Sequence, residues 1–370
     1  METTLVNDKS THQVPVIEVK LLPCETADSL SIVKVKDFTC VVKTSDWKDG
    51  DLAAWVPPDS IVDISRQEFS FLTKPLIRVK RLRKVLSYGL LIPAPANLKV
   101  GDNAANALGV THYDPEEQIS CVGKSKKDSL FVDQLQKSPK GTYFKYDVDS
   151  FLNYSSEVMI PGEEVVVTEK IHGENSRFVC VDEQLYAGSR NTWKKEFATC
   201  KYTEEELLEK VGDPGKVEKI LKSNKTKNKW WKIYDKCYGL TVFCLENPGF
   251  CVYGELYGDV KEMKYGCSPG ETRFAAFDIL MPCGNFMDYD KFKETCNKYG
   301  IPMVPEIAIL PYDKETVISF TSGKSLLPGT SHIREGVVVK PIKERWHEKL
   351  GRVCLKLVSP EYYEGKYHAF

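Results

Sequence analysis

The sequence predicts an α+β protein in two parts, a small N-terminal β-barrel followed by a larger region in which strands and helices interleave. Length is the first reason, since 370 residues exceed what one hydrophobic core comfortably organises. The second is a series of short β-branched segments crowded into the first hundred residues. The third is the alternation of strand-like and helix-like segments from Glu157 onward, in a chain whose 42% hydrophobic content suits a globular fold.

In the first part, Val16–Leu21, Ser31–Val35, Thr39–Lys43, Leu52–Val56 and Ile77–Lys80 alternate or cluster β-branched residues, and turn formers at Lys48-Asp49-Gly50 and Pro57-Pro58-Asp59 separate some of them. Five short strands in so few residues suit a closed barrel of OB type, with an SH3-like barrel as the alternative. The run from Lys74 to Lys84 is strongly basic. Arg78 and Lys80 fall on one face of an extended strand and Arg81 and Arg83 on the other, so it cannot be buried on both sides. It reads as an edge that tracks nucleic-acid phosphates, against the plainer reading of an edge strand protected by charge.

Gly101–Ser156 is mixed and polar and reads as a connection. The expected division is a barrel over 1–120, a connecting segment over 121–145 and a second domain over 146–370. Thr203–Lys229 is helix-rich and basic and runs into Trp230-Trp231, which fits a solvated helix ending on core tryptophans better than an RNA contact. The 12 cysteines lack a CxxC pair or zinc-like spacing and read as buried free thiols. Lys+Arg of 51 against Asp+Glu of 52 leaves a net charge of -1, so any nucleic-acid binding must come from local patches. No signal-like N-terminus and no membrane-spanning apolar run are seen, so a soluble intracellular protein, cytoplasmic or nuclear, is expected, with no obligate protein partner evident.

The chemistry centres on Lys170, in Glu169-Lys170-Ile171-His172-Gly173-Glu174-Asn175, directly after the strand-like Val165–Thr168. A free lysine amine has a pKa of about 10.4, so a nucleophilic lysine needs rigid placement and neighbouring cations or a metal that disfavour its ammonium form. Gly173 would let a nucleotide approach the backbone. A bare Lys-x-x-Gly is too common to decide anything, and an exposed lysine at a strand end is its ordinary meaning. Other segments add weight. Arg190 sits in a tight turn, Glu255 and Glu335 lie in largely apolar strands, Phe277 lies in an apolar strand, and Lys340 and Lys356 are cations in apolar runs. Isolated carboxylates there need a lysine, a ribose hydroxyl or a hydrated divalent ion, and the cations suit a triphosphate. Pairing among themselves as buried salt bridges is the alternative.

The order Glu-Lys-x-His-Gly-x-Asn, Ser-Arg, Tyr-Gly-Glu-Leu-Tyr-Gly, Phe-x-x-Phe-Asp-Ile, Glu-Gly-Val-Val-Val-Lys-Pro and Leu-Lys-Leu resembles the signature of covalent nucleotidyltransferases, specifically ATP-dependent RNA ligases. The core resemblance spans residues 157–363, and the preceding barrel is similar to the Deinococcus and Naegleria type. It implies a domain of antiparallel sheets flanked by helices. It also implies a reaction in which Lys170 takes AMP from ATP, with Mg²⁺ or Mn²⁺, and passes it to the 5′-phosphate end of RNA in nicked duplexes.

By the same resemblance, Glu169 reads the adenine edge and Phe277 stacks on it, while Asn175 and Arg190 contact phosphate, sugar or the RNA end. Glu255 holds the ribose, Glu335 holds the metal through water with Glu255 nearby, and Lys356 grips the α-phosphate. His172 orients pyrophosphate or the metal's waters, or is simply structural. Related ligases often carry Lys-x-Lys in the last motif, whereas this chain has Lys356-Leu357-Val358, so Lys340 or the metal takes up more of the phosphate charge. A capping-type guanylyltransferase and a non-catalytic nucleic-acid-binding protein with a decayed core are the alternatives.

Overall fold

The structure, a computed structural model, describes residues 12–113, 132–224 and 226–365. In the N-terminal part, Leu52–Val56 pairs antiparallel with Val16–Glu18 on one side and Leu90–Pro93 on the other, and Leu22–Pro23, Leu30–Val35 and Phe38–Lys43 form a second antiparallel sheet. Alternation along Leu52–Val56 sends Ala54 and Val56 into one apolar cluster with Phe69 and Ile92, and Ala53 and Trp55 into another with Val33 and Phe38. This strand is therefore buried on both faces.

Some strand limits differ from expectation. Val16–Leu21 is interrupted after Glu18, where the chain turns from one sheet to the other. In the basic run an isolated antiparallel bridge joins Leu76 to Ile61, and a regular strand starts at Lys80, where Lys80–Leu82 forms a hairpin with Val85–Ser87 through Arg83 and Lys84, whose φ values are 45° and 71°. Ile77 and Val79 are buried, while Arg78, Lys80, Arg81 and Arg83 are all exposed.

Of the expected connecting segment, residues 121–131 lie outside the described residues, and Val132–Leu135 is the outer strand of a sheet. That six-stranded sheet runs in the order Val132–Leu135, Trp193–Cys200, Gln184–Ser189, Glu174–Val181, Cys251–Gly258, Thr272–Leu280. A five-stranded sheet runs Asp149–Ser150, Leu355–Val358, Gly336–Pro341, Glu164–Lys170, Glu306–Pro311, antiparallel except for its first pair. Val165 and Val167 face a core with Leu355 and Val339, whereas Val166 packs with Phe178, Val252 and Ile279 of the other sheet. Alternation thus aims Lys170, which shares a face with Val166, towards the six-stranded sheet.

The helical segment falls where expected, as Glu204–Val211 and Pro214–Asn224, the first held by a Thr203–Glu206 capping box and ended by Gly212 in a left-handed conformation. Trp230 and Trp231 pack against the core. The described cysteines are free thiols. No helix among the described residues is long and apolar enough to cross a membrane.

The barrel touches the second region through ion pairs, hydrogen bonds and ring contacts, among them Lys36 with Glu157, Ser155 and Ser156 donating to Asp37, and Tyr88 against Tyr363. Lys314 Nζ reaches Asp37 at 2.6 Å, and Arg81 of the basic hairpin pairs with Glu364 at the end of the short helix Pro360–Tyr363.

Candidate active site

Lys170 is the last residue of Glu164–Lys170, and after it Ile171-His172-Gly173 carries the chain across to Glu174–Val181 in the other sheet. The nucleophile candidate therefore stands where the chain passes between sheets. Gly173 is required at that crossing, because a Cβ there would lie 2.3 Å from the Leu256 carbonyl oxygen and 2.8 Å from Glu255 Cγ. Close approach of two strands is what the structure demands of this glycine.

Register brings the acids to the lysine. Lys170 pairs with Gly336, the neighbour of Glu335, and Lys170 Nζ donates to Glu335 Oε1 at 2.8 Å. Burial alone disfavours the Lys170 ammonium, yet the carboxylates of Glu335 and Glu255 outweigh it and hold the lysine above its ordinary value. This corrects one expectation: the cation-lowered lysine is not Lys170 but Lys356. Lys356 lies two strands away in register with Val338, and burial followed by repulsion from Lys170 lowers its pKa. Burial also lowers the pKa of His172, with Glu335 opposing.

Glu255 lies directly across from Asn175, whose Oδ1 is buried without a partner. Burial raises the Glu255 carboxyl to about 7, against the opposing pull of Lys170 and Lys261. A folded pKa above the unfolded one means that the fold retains this proton longer. Stability then falls as pH rises from about 4.5 towards 7 and is level above it. Glu255→Gln, which mimics the protonated acid, is expected to match wild type near pH 4 and to exceed it at pH 8 by on the order of 2 kcal/mol, a figure discounted for the residue's partial exposure. Thermal melts of both proteins at the two pH values check this.

Glu169 faces away from Lys170. It is 1% exposed; its Oε2 accepts the Leu326 N–H at 2.7 Å, and its Oε1 is buried with no partner, while burial raises its pKa. Leu327, the next residue, belongs to the apolar cluster on which Phe277 packs. Phe277 is the extra residue of a β-bulge, between Asp278 paired with Tyr253 and Ala276 paired with Gly254, and its ring lies 4.6 Å from that of Tyr146. An unsatisfied acceptor and a half-buried ring here suit a purine with an exocyclic amine.

Two candidate residues stand apart from this cluster. Lys340, expected to carry phosphate charge, is buried in a network with Asp278, Glu344, Arg352 and Tyr146: Lys340 and Tyr146 both donate to Asp278, and Arg352 reaches it at 2.9 Å. Its ion-pair partners are therefore Asp278 and Glu344, not Glu335 or Glu255. Arg190 follows Ser189, one strand beyond Asn175, and pairs with Asp147 at 2.6 Å. It lines a cavity of about 270 Å³ with Lys145, Arg177, Asn191 and Trp193. Arg177, a lone cation in an apolar strand, carried the same signal as Lys356 and was missed by the sequence reading. Tyr265 and Tyr362, which contact His172, carried no such signal.

A lysine at the crossing of two sheets, flanked by two carboxylates and a second lysine, with an apolar wall at Phe277 and Leu327, defines a nucleotidyltransferase. The RNA ligase family model matches residues 163–358, and an OB-fold domain model matches residues 14–94. The chain belongs to the RNA ligase family. No curated protein matches it. Among solved structures it is similar to the Naegleria gruberi RNA ligase. A mutant with ATP and Mn gives a TM-score of 0.68 at 19% identity, covering 95% of this chain and 98% of that one. An apo mutant gives 0.70 at 20%, covering 96% and 98%. The enzyme with PPi gives 0.69 at 19%, covering 96% and 99%. At these identities the likeness shows a shared fold.

Proposed function

We propose that the chain is an ATP-dependent RNA ligase that joins 3′-hydroxyl and 5′-phosphate ends at nicks in duplexes. In this reading the barrel, within residues 1–120, holds the duplex, and residues 146–370 carry out the chemistry. The observation that carries it is Lys170 Nζ at 2.8 Å from Glu335, within the field of Glu255 and at the crossing between sheets. The Naegleria gruberi ligase was solved with ATP and Mn and with PPi, which supports ATP as the donor.

Lys170, once deprotonated, attacks the α-phosphorus; an N–P bond forms and the P–O bond to pyrophosphate breaks. AMP then passes to the 5′-phosphate of the RNA, freeing Lys170, and the 3′-hydroxyl attacks that phosphate, forming the phosphodiester and releasing AMP. Lys356 faces the same space as Lys170 and would balance charge on the α-phosphate. Glu169 and Phe277 would take the adenine, Glu255 the ribose, and Asn175 and Arg190 the phosphate, sugar or RNA end. Lys340 would act through the network that shapes the neighbouring wall.

The residues fit Mg²⁺ or Mn²⁺. Among the described residues no three acids, histidines or cysteines form a metal cage, but Glu335 Oε2 is a buried oxygen without a partner beside Glu255, and an ion held by one or two carboxylates takes its other ligands from water and phosphate. When bound, such an ion supplies positive charge at the α-phosphate and favours the neutral amine of Lys170. The exposed hairpin carrying Lys80, Arg81 and Arg83, with exposed Arg78 just before it, reaches the helix beside this site through Arg81, which supports a path for the duplex backbone.

Sealing assays on nicked duplexes, with RNA or DNA placed separately on each side of the nick, test this reading. Sealing with ATP when RNA supplies the 3′-hydroxyl is the expected result. Activity with GTP alone would point to a guanylyltransferase, and tight RNA binding with no AMP transfer to a non-catalytic binder.

A further inference from the structure

His172 is held from three sides, and its bonds fix where its proton sits. Its backbone N–H donates to Tyr265 Oη at 2.6 Å, its Nε2 lies 2.9 Å from Glu262 Oε2, and its Nδ1 lies 3.0 Å from Tyr362 Oη. A carboxylate only accepts, so the hydrogen is on Nε2. In the neutral ring Nδ1 is then an acceptor, and the Tyr362 hydroxyl donates to it.

The other proton position has a competing attraction. Nδ1 is 3.8 Å from Glu335 Oε2, the buried oxygen with no partner. Glu262 is 70% exposed and Glu335 8%, so water weakens the hold on an Nε2 hydrogen while a hydrogen on Nδ1 would be drawn to a shielded carboxylate. Besides Glu262, the Tyr362 hydroxyl opposes that shift by occupying Nδ1.

Tyr362 is well placed for this. It lies in the short helix Pro360–Tyr363, whose cap Ser359 accepts the Tyr362 N–H at 3.2 Å and donates its own N–H to the Glu335 carbonyl at 2.8 Å. The segment that supplies the hydroxyl is thus anchored on the backbone of the acid it protects.

We propose that Tyr362 is a positioning residue for the metal site: by donating to His172 Nδ1 it holds the ring in its Nε2–H form and keeps Glu335 Oε2 available to a divalent cation. This rests on the reading of Glu335 as the metal-holding acid. Its effect is on cation affinity rather than on the chemical step.

The test is Tyr362→Phe in the full chain, which keeps the ring and removes only the hydroxyl. Mn²⁺ binding is measured by the electron paramagnetic resonance signal of free Mn²⁺, and the His172 tautomer by ¹⁵N chemical shifts in histidine-labelled protein. The expected result is Mn²⁺ binding weakened about five- to tenfold, the scale of one lost hydrogen bond, with the hydrogen of His172 moved towards Nδ1. Unchanged Mn²⁺ binding, or weakened binding with an unchanged tautomer, overturns the inference. Wild type that binds no Mn²⁺ removes the metal reading on which it rests, whereas variant and wild type binding equally well removes the inference alone.

Discussion

Glu335→Gln is expected to slow the attachment of AMP to Lys170 by about a hundredfold. Two effects oppose each other in this variant. Glutamine removes a charge that holds the Lys170 ammonium in place, so more of the lysine is neutral, and each unit by which its pKa falls raises the reactive fraction about tenfold. Against this stands the loss of the acid that would hold a cation at the α-phosphate, a preorganised charge of the kind whose removal costs about 10²- to 10³-fold. The second effect is the larger, and only it changes the response to the cation, because below the raised Lys170 pKa the first is the same at every pH. Single-turnover adenylation over a range of Mn²⁺ concentrations separates them. A variant at least as fast as wild type at every Mn²⁺ concentration would mean that Glu335 serves only to tether the lysine.

Asp278→Ala is expected to destabilise the protein by about 3–5 kcal/mol, the usual cost of stripping one partner from buried charges. It would leave Lys340 and Arg352, both nearly inaccessible, with Glu344 as their shared acid. Lys340→Met is expected to cost less, since Arg352 still reaches Asp278 at 2.9 Å. The pair also settles what Lys340 does. Denaturant unfolding should show both variants weakened, with the apparent KM for ATP of folded Lys340→Met close to wild type. Full stability in Lys340→Met with a sharply raised KM would restore it to the phosphate site.

The contrast between Lys340 and Lys356 marks how far the sequence could be read. Both are lone lysines in apolar strands, and both looked like phosphate contacts. Only the folded chain sets Asp278, 62 residues away, against one of them, and the Asp of Phe-Asp-Ile gave no sign of whether it faced a ligand or a lysine. Lys170, Glu255 and Glu335 were legible because a charge that interrupts an apolar strand has few acceptable explanations. Tyr362 was not, because its contact with His172 spans 190 positions and a tyrosine near a chain end is unremarkable. The barrel shows the same limit. Its β-branched strands were visible, but Leu90–Pro93 ends in proline, and the hairpin beside it turns on Arg83 and Lys84 instead of the glycine or asparagine that signals such turns.

The central claim is that Lys170 becomes covalently joined to AMP. Wild type, Lys170→Ala and Lys170→Arg are each incubated with ATP labelled on the α-phosphate and a divalent cation, then denatured and separated. The account predicts label on wild type alone, released by pyrophosphate and transferred to RNA bearing a 5′-phosphate. Label retained by Lys170→Ala, or a wild type never labelled by ATP, would contradict it.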